Sequence, residues 1–379
     1  MGPRARRATR LLLLFALGLV WYGPRVLAPG RLGDEGQYFD AFESVLAGRS
    51  PYDVAGYYYP PAFALVGARM LGAFGEHPTA IALRLANLTG VVAACACAVC
   101  WMPARGRARH VTAAALLCLA PPVNAAMTYG NVSGLACGAV LASLVTWRRA
   151  PAAAGALLGG SLVLKPVGAL VVLLACARRP LPWVAAGCTL AVAAVGLAFG
   201  ARELPAMAAL SSAAHERSST SVVHVLDCFG VHVPGVLVAA IVAAAGVVVR
   251  TRFLPWHAVG LVACSASILA SPLVWDHTMI LALPLVVATV TPPVRAALRA
   301  RGPERSRALL AVLVATFGAL VLFGTREWTA IPGAPRWLEG ALGLVPLVTL
   351  AWMTAAAVRA SGGPSAGRPR GPGRAAAPR

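Results

Sequence analysis

Two short segments that carry acidic side chains, the second of them with a histidine, are the parts of this sequence best suited to proton chemistry. The first is the run 33–40, which holds three of the chain's 13 acidic residues. The second is the pair Asp276-His277, at the edge of an apolar segment far along the chain. Carboxylates are costly inside a bilayer, and histidine changes its charge near neutral pH. We therefore predict that both segments lie at a membrane surface, where Asp34 and His277 exchange protons with a bound molecule.

Most of the remaining sequence is apolar. Hydrophobic residues fill 59% of the 379 positions, and apolar runs of about 20 residues recur almost end to end. Because a helix satisfies its own backbone hydrogen bonds in lipid, the sequence predicts an all-α, polytopic membrane protein with about 10–12 transmembrane helices. We expect one membrane-embedded domain over residues 1–358, followed by a disordered basic cytoplasmic tail over 359–379.

Basic residues indicate which helix ends face the cytoplasm. The net charge is +20, and arginine supplies nearly all the positive charge, since Lys165 is the only lysine. Arginines cluster in short loops and at both ends of the chain, as expected for cytoplasmic segments. This distribution argues against nucleic-acid binding. The loops at about 29–59, 201–233 and 325–337 are then predicted to lie on the outer side.

Two segments do not fit a simple alternation of sides. Segment 60–75 would begin and end outside, and segment 152–176 would begin and end inside. Either these are broken or re-entrant pieces, or one basic loop departs from the rule. The second segment contains Lys165-Pro166, which can divide it into two half-helices because proline interrupts the hydrogen-bond ladder.

The 29–59 loop combines carboxylates with five tyrosines. Tyrosine is common in the aromatic belt of membrane proteins, but such a belt needs no carboxylates. The acids favour a second interpretation, a rim that binds sugars through ring stacking and hydroxyl groups. Asp34 is predicted to act as a general base toward a hydroxyl, and an exposed surface acid is the alternative. Glu35 ranks lower, since a helix would turn it away from Asp34.

Further positions carry groups that can bind a ligand. A cation such as Lys165 costs about 2.5–3.5 kcal/mol at the centre of a membrane helix. It therefore needs a partner such as a phosphate, unless it reaches the nearer interface. Asn131 either caps the helix that follows it or bonds to a sugar hydroxyl. Asp276 can cap a helix that begins there, with His277 as a bystander.

Several familiar sites are absent from the sequence. It contains no phosphate-binding loop, dinucleotide fingerprint, zinc motif or nucleophile elbow. The nine cysteines show no metal-ligand spacing and no disulfide framework. We therefore expect no cofactor and no metal, and a transferred group would come from a donor delivered within the membrane.

An ordered set of short motifs resembles glycosyltransferase family 87, whose members are multi-spanning bacterial mannosyltransferases of the GT-C architecture. The motifs span about residues 30–290. They are, in order, Asp34 with Tyr38, Gly48-x-x-x-Tyr52, Tyr59-Pro60-Pro61-Ala62-Phe63, Gly130-Asn131-Val132-Ser133, Lys165-Pro166 and Ser271-Pro272-Leu273-Val274-Trp275-Asp276-His277.

The resemblance implies a GT-C-like fold with an outer-face loop between the first two segments, in the bacterial plasma membrane. It implies a polyprenyl-phosphate-mannose donor, a lipid or glycan acceptor of the cell envelope, contact with membrane lipids, and Asp34 and His277 as catalytic residues. A single displacement would invert the anomeric centre. The predicted substrate-binding residues are Glu35, Tyr38, Tyr52, Tyr59, Asn131, Lys165, Trp275 and Asp276.

Two other classes of protein compete with the enzyme. A helix broken at Lys165-Pro166 suits a transporter or flippase for a lipid or small solute. Against it, the acids lie in one outer loop and no repeated half is visible. A structural assembly subunit explains the apolar bulk but gives Lys165 and Asp276-His277 no role. The sequence favours the enzyme over both.

Overall fold

The computed structural model describes residues 2–102, 106–172, 183–206, 221–231, 236–271, 274, 276–323 and 335–361. All regular secondary structure in these ranges is α-helical or 3-10 helical, and no strand occurs among them. The predicted all-α fold class is therefore confirmed. Residues 362–379 of the predicted tail, residues 207–220 and 232–233 of the predicted loop 201–233, and residues 325–334 of the predicted loop 325–337 lie outside the described ranges.

Fifteen α-helices are numbered here in chain order. They are α1 (Pro3–Val26), α2 (Glu35–Leu46), α3 (Pro61–Phe74), α4 (Glu76–Ala98), α5 (Arg107–Leu119), α6 (Pro121–Thr128), α7 (Ser133–Thr146), α8 (Pro151–Leu164), α9 (Trp183–Phe199), α10 (Val222–Cys228), α11 (Val236–Arg250), α12 (Trp256–Leu269), α13 (Leu283–Arg299), α14 (Pro303–Phe323) and α15 (Arg336–Ser361). Short 3-10 helices cover Pro51–Asp53, Val99–Trp101, Pro166–Gly168, Ala201–Glu203, Thr251–Phe253 and Asp276–Ala282.

Several helices are long and apolar enough to cross a membrane. Four pass by length and composition, and α5 with α6, bent by 48°, would make a fifth. The four spans are Glu76–Trp101, His277–Arg299, Pro303–Phe323 and Arg336–Arg359. The described part of the chain is thus that of a polytopic helical membrane protein. It does not reach the expected 10–12 full spans, because several apolar runs form helices of 10–17 residues.

The two segments that did not fit the topology form short or broken helices. Helix α3 has 14 residues, so it is about 21 Å long, shorter than the hydrocarbon core of a bilayer. Helix α8 ends at Leu164, and Lys165 is extended, with φ −162° and ψ 124°. Proline disfavours the helical conformation in the residue before it, so Pro166 explains this break. The predicted interruption at Lys165-Pro166 is confirmed.

Helices α4 and α7 approach each other backbone to backbone. Side chains added at Gly90 or Gly138 would collide with the facing backbone, and one at Gly134 would collide with Asn87. Small residues spaced four apart, as Gly134 and Gly138 are, allow such close packing of membrane helices. This contact positions the start of α7, which carries part of the candidate site.

Replacing Gly138 with alanine should destabilise the protein by about 1–3 kcal/mol, because the added methyl group overpacks the α4–α7 contact. The matched control is Gly160→Ala in α8, where an added Cβ would meet nothing within 4 Å. Thermal unfolding in detergent measures both variants. A Gly138→Ala midpoint equal to that of Gly160→Ala would contradict the close contact.

Candidate functional site

Asp34 is held at the start of α2 by the turn between α6 and α7. Its backbone N–H donates to the carbonyl oxygen of Tyr129 at 2.8 Å. Its carboxylate Oδ2 accepts a hydrogen bond from Asn131 Nδ2. The residue is half-buried. Asp34 is therefore hydrogen-bonded to a second segment of the protein. A freely solvated surface acid would lack these hydrogen bonds.

Asn131 joins Asp34 to the first turn of α7. Its Nδ2 also donates to Tyr59 Oη at 2.8 Å. Its Oδ1 accepts from the N–H of Ser133 at 2.9 Å and from Ser133 Oγ at 2.6 Å. The side chain thus satisfies a free N–H at the beginning of α7, as a cap does. The preceding Gly130 has φ 66°, a conformation that suits glycine.

Lys165 continues this network from the break after α8. Its Nζ donates to Ser133 Oγ at 2.8 Å and lies 3.3 Å from His277 Nε2. The ammonium also lies 5.3 Å from the centre of the Tyr59 ring, a cation–π distance. The extended backbone at Lys165 places a cation beside polar groups contributed by two other segments.

His277 lies at the far end of the network. It is 4% exposed and belongs to the 3-10 helix Asp276–Ala282. When Lys165 donates to it, Nε2 must be unprotonated and the ring proton is on Nδ1. The next residue, Thr278, has a buried Oγ1 without a hydrogen-bond partner in the described part of the chain. Such a hydroxyl is a group that a bound ligand can satisfy.

These contacts join five residues from four segments, which we call the polar network: Asp34, Asn131, Ser133, Lys165 and His277. The network runs from a carboxylate through an amide and a hydroxyl to an ammonium and an imidazole. Asp34 and His277, predicted from positions 243 residues apart in the sequence, thus belong to one connected set. The set contains a proton acceptor, a cation and an imidazole, joined by hydrogen bonds and close contacts.

Three tyrosines of the 29–59 loop are linked to the network by hydrogen bonds through Tyr59. Tyr38 Oη donates to Tyr59 Oη at 2.7 Å, and Tyr52 Oη donates to the Tyr59 carbonyl oxygen at 2.9 Å. The rings of Tyr38 and Tyr59 meet edge to face, 4.8 Å between centres. Burial, and then nearby Tyr59 and Asp34, raise the pKa of Tyr38 well above its usual value. Tyr38 therefore stays protonated and remains a donor at physiological pH.

The tyrosine rings are packed differently from a sugar-binding rim. Tyr38 and Tyr59 are 0% and 2% exposed, inside a small core with Phe39, Phe42 and Phe63. Rings so buried cannot stack on a sugar in this structure. The interpretation of Tyr38 and Tyr59 as a stacking surface is therefore wrong, and their hydroxyl groups are the parts that reach the polar network. Tyr52 is half-buried beside them.

Glu35 makes its hydrogen bonds to partners outside the polar network. Its two carboxylate oxygens accept from Arg84 Nε at 2.7 Å and from Arg84 Nη2 at 2.6 Å, and the N–H of Leu32 donates to it at 2.8 Å. The side chains of Glu35 and Arg84 are 1% and 2% exposed. Arg84 also donates to the carbonyl oxygens of Ala28 and Gly30. This arrangement fixes the end of α1 to α4 and gives Glu35 a structural role.

Replacing Glu35 with glutamine should lower the free energy of unfolding by about 3–5 kcal/mol, because it leaves the buried charge of Arg84 unpaired. The matched control is Glu43→Gln on the same helix. Glu43 pairs with Arg31 at 2.6 Å but is 53% exposed, so its loss should cost at most about 1 kcal/mol. Chemical denaturation in detergent distinguishes the two. Normal stability of Glu35→Gln, with binding of the donor lost, would restore Glu35 as a substrate-binding residue.

Two predicted site residues cannot be placed in the same way. Trp275 lies outside the described residues, and only the backbone of Asp276 is described, as the first residue of its 3-10 helix.

The sequence did not predict a role for Ser133, which links Asn131 to Lys165. Its position two residues after Asn131, at the start of an apolar helix, was the available signal.

The fold and this network define a helical membrane protein with a polar site in which an acid, an amide and a half-buried cation are joined. No family, no curated protein and no solved structure matches the chain. The resemblance to glycosyltransferase family 87 therefore stays a prediction from its short motifs.

Proposed function

We propose that this protein is a membrane glycosyltransferase that moves a hexose from a polyprenyl-phosphate donor to a hydroxyl of a cell-envelope lipid or glycan. The resemblance to glycosyltransferase family 87 implies that the hexose is mannose. The reaction would take place at the outer face of the bacterial plasma membrane. The observation that carries the proposal is the polar network, because it links Asp34 to Lys165 through Asn131 and Ser133. A carboxylate for the acceptor and a cation for the donor phosphate are what such a transfer needs.

Lys165 is the proposed contact for the donor phosphate. A polyprenyl phosphate leaves as an anion, so it needs positive charge and no strong acid. Lys165 is the chain's only lysine and lies at a helix break, where its ammonium meets Ser133 Oγ and the His277 ring. The polyprenyl tail would lie against apolar helices within the membrane. His277, beside Lys165, would belong to this donor side and hold the ammonium in place.

Asp34 is the proposed general base. It lies at the other end of the network from His277, and Asn131 orients its carboxylate. The bond from the anomeric carbon to the phosphate oxygen breaks, the bond from that carbon to the acceptor oxygen forms, and the hydroxyl proton passes to Asp34. The acceptor enters opposite the departing phosphate, so the anomeric centre inverts. A β-linked donor then gives an α-linkage, and the scheme requires no metal.

The proposal is tested by incubating membranes that contain the protein with radiolabelled polyprenyl-phosphate-mannose and an extract of cell-envelope lipids. We expect label to move to a new product, which membranes without the protein do not form. Failure to transfer label from a broad set of polyprenyl-phosphate sugars would contradict the enzyme. If reconstituted vesicles then moved the labelled donor across the bilayer, a flippase would be the function, as the helix break at Lys165 would also allow.

Replacing His277 with alanine should lower the rate of transfer by about 10²-fold, mainly through a weaker apparent affinity for the donor, because Lys165 loses a neighbour that orients it. His77→Ala is the matched control, since His77 is an exposed histidine in the first turn of α4. Initial rates at several donor concentrations separate KM from kcat. A pure loss of kcat, with KM for the donor unchanged, would instead assign proton transfer to His277.

A further inference from the structure

A second group of ligand-bearing side chains joins two segments that the polar network does not use. His224 and Cys228 lie one turn apart on α10, and Glu339 lies in the first turn of α15. One ligand atom from each residue lies within 4.8 Å of the other two. His224 and Cys228 are buried, and Glu339 is half-buried. The three side chains therefore converge on one small volume between the two helices.

The backbone around this cluster is held from several directions. Ser221 caps α10, because its Oγ accepts from the N–H of His224 at 3.1 Å. A Cβ at Gly340 would lie 2.8 Å from Cys228 Cβ, so only glycine lets α15 lie so close to α10. Arg336 Nη2 donates to Asp227 Oδ2 at 2.5 Å. These contacts fix the side chains at one relative position before any ligand binds.

We propose that His224, Cys228 and Glu339 bind a Zn²⁺ ion. The distance between Cys228 Sγ and His224 Nε2 is 3.5 Å. With usual zinc–sulfur and zinc–nitrogen bond lengths, two ligands of a tetrahedral site lie about 3.5 Å apart, so this pair needs little movement. A hydrogen bond between Cys228 and His224 also explains that distance, but it does not involve Glu339, whose carboxylate lies within 4.8 Å of a ligand atom of each.

The donor set selects the metal. Thiolate and imidazole ligands suit Zn²⁺, whereas Ca²⁺ and Mg²⁺ take oxygen ligands almost alone. Three protein ligands leave a fourth position for water or another small ligand. The sequence alone gave no zinc motif because only His224-x-x-x-Cys228 is local, and Glu339 is more than a hundred residues further along. The site would fasten α10 to the beginning of α15, independently of sugar transfer.

The test uses the full-length protein in detergent, freed of metal with a chelator and titrated with Co²⁺ as a coloured substitute for Zn²⁺. We expect one Co²⁺ per chain, with the absorption of a thiolate–cobalt bond, and its loss when Zn²⁺ is added. Cys228→Ser should abolish this absorption. The control Cys118→Ser, in a half-buried cysteine of α5, should leave it unchanged. His224→Ala and Glu339→Gln should each weaken binding by at least about 10-fold.

Absence of the thiolate–cobalt absorption in the wild-type protein at stoichiometric Co²⁺ would overturn the proposal. So would absorption that persists in Cys228→Ser, or that disappears equally in Cys118→Ser. If Cys228→Ser does not fold, Glu339→Gln decides the matter, because its side chain is less buried and its substitution keeps the same shape. Zn²⁺ should also raise the thermal unfolding midpoint of the wild type more than that of Glu339→Gln at the same Zn²⁺ concentration.

Discussion

Replacing Asp34 with asparagine should slow sugar transfer by about 10²–10⁴-fold, the range expected when a general base is removed. Asparagine keeps the size of the side chain and an oxygen that can accept from Asn131 Nδ2, so the local structure should persist. It cannot accept the hydroxyl proton, because its amide oxygen is a very weak base. The effect should therefore fall on kcat, with little change in KM for the donor.

The measurement for Asp34→Asn is the initial rate of label transfer at equal expression and saturating donor. Asp53→Asn is the matched control, an exposed acid in the same 29–59 loop. It should transfer at the wild-type rate. Activity of Asp34→Asn within about threefold of wild type would rule out Asp34 as the base. Recovery of activity on adding small carboxylates to Asp34→Gly would strengthen its assignment.

Replacing Lys165 with methionine should reduce transfer by about 10²–10³-fold, the usual effect of losing one donor to a developing anion. Methionine has a similar length and removes a half-buried charge, so the fold should persist. Binding of the unlabelled polyprenyl phosphate should weaken as well, because the phosphate is present before and after transfer. Lys165→Arg should restore only part of the activity, since a planar guanidinium presents its N–H groups differently.

Arg69→Met is the control for the lysine. Arg69 is also a cation within a predicted apolar segment, but it is exposed and lies 4.4 Å from the centre of the Phe199 ring. Arg69→Met should bind polyprenyl phosphate with nearly the wild-type affinity and transfer label at nearly the wild-type rate. Unchanged binding of polyprenyl phosphate to Lys165→Met, together with lost transfer, would contradict a phosphate contact at Lys165.

Hydrophobic periodicity and proline placement were sufficient to predict much of the local structure. Tyr38, Phe39 and Phe42 have the spacing of one helical face, and α2 covers Glu35–Leu46 with these three residues buried. The proline at 166 predicted the break after α8. Both features are determined by residues that are close together in the chain, so the sequence alone predicts them.

Full membrane spans were predicted less well. Apolar composition indicates burial, either in lipid or in protein, and does not distinguish the two. Helices α3, α7 and α8 have 14 residues each, and much of α7 is buried against other helices. Counting apolar runs therefore overestimated the spans among the described residues.

The contacts of the site residues join segments that are far apart in the sequence. Local sequence patterns therefore did not predict them. Asp34 and Glu35 are adjacent acids, yet one meets Asn131 and the other meets Arg84. Nothing local decides which acid finds the buried arginine. Arg84 was a visible signal, because an arginine in an apolar helix needs a carboxylate or carbonyl partners. The burial of the tyrosine rings was hidden for the same reason, since it depends on the packing of α2 against α3.

The spacing of the polar network along the chain also sets the order in which a ribosome can complete it. Asp34, Asn131, Ser133 and Lys165 are all synthesised before His277, which follows Lys165 by 112 residues. At ordinary elongation rates this interval is about 6–22 s. During that time Ser133 and the Tyr59 ring are already present as partners of the lysine. A nascent or truncated chain thus carries the carboxylate and the ammonium without the imidazole, and the site becomes complete only after the later helices enter the membrane.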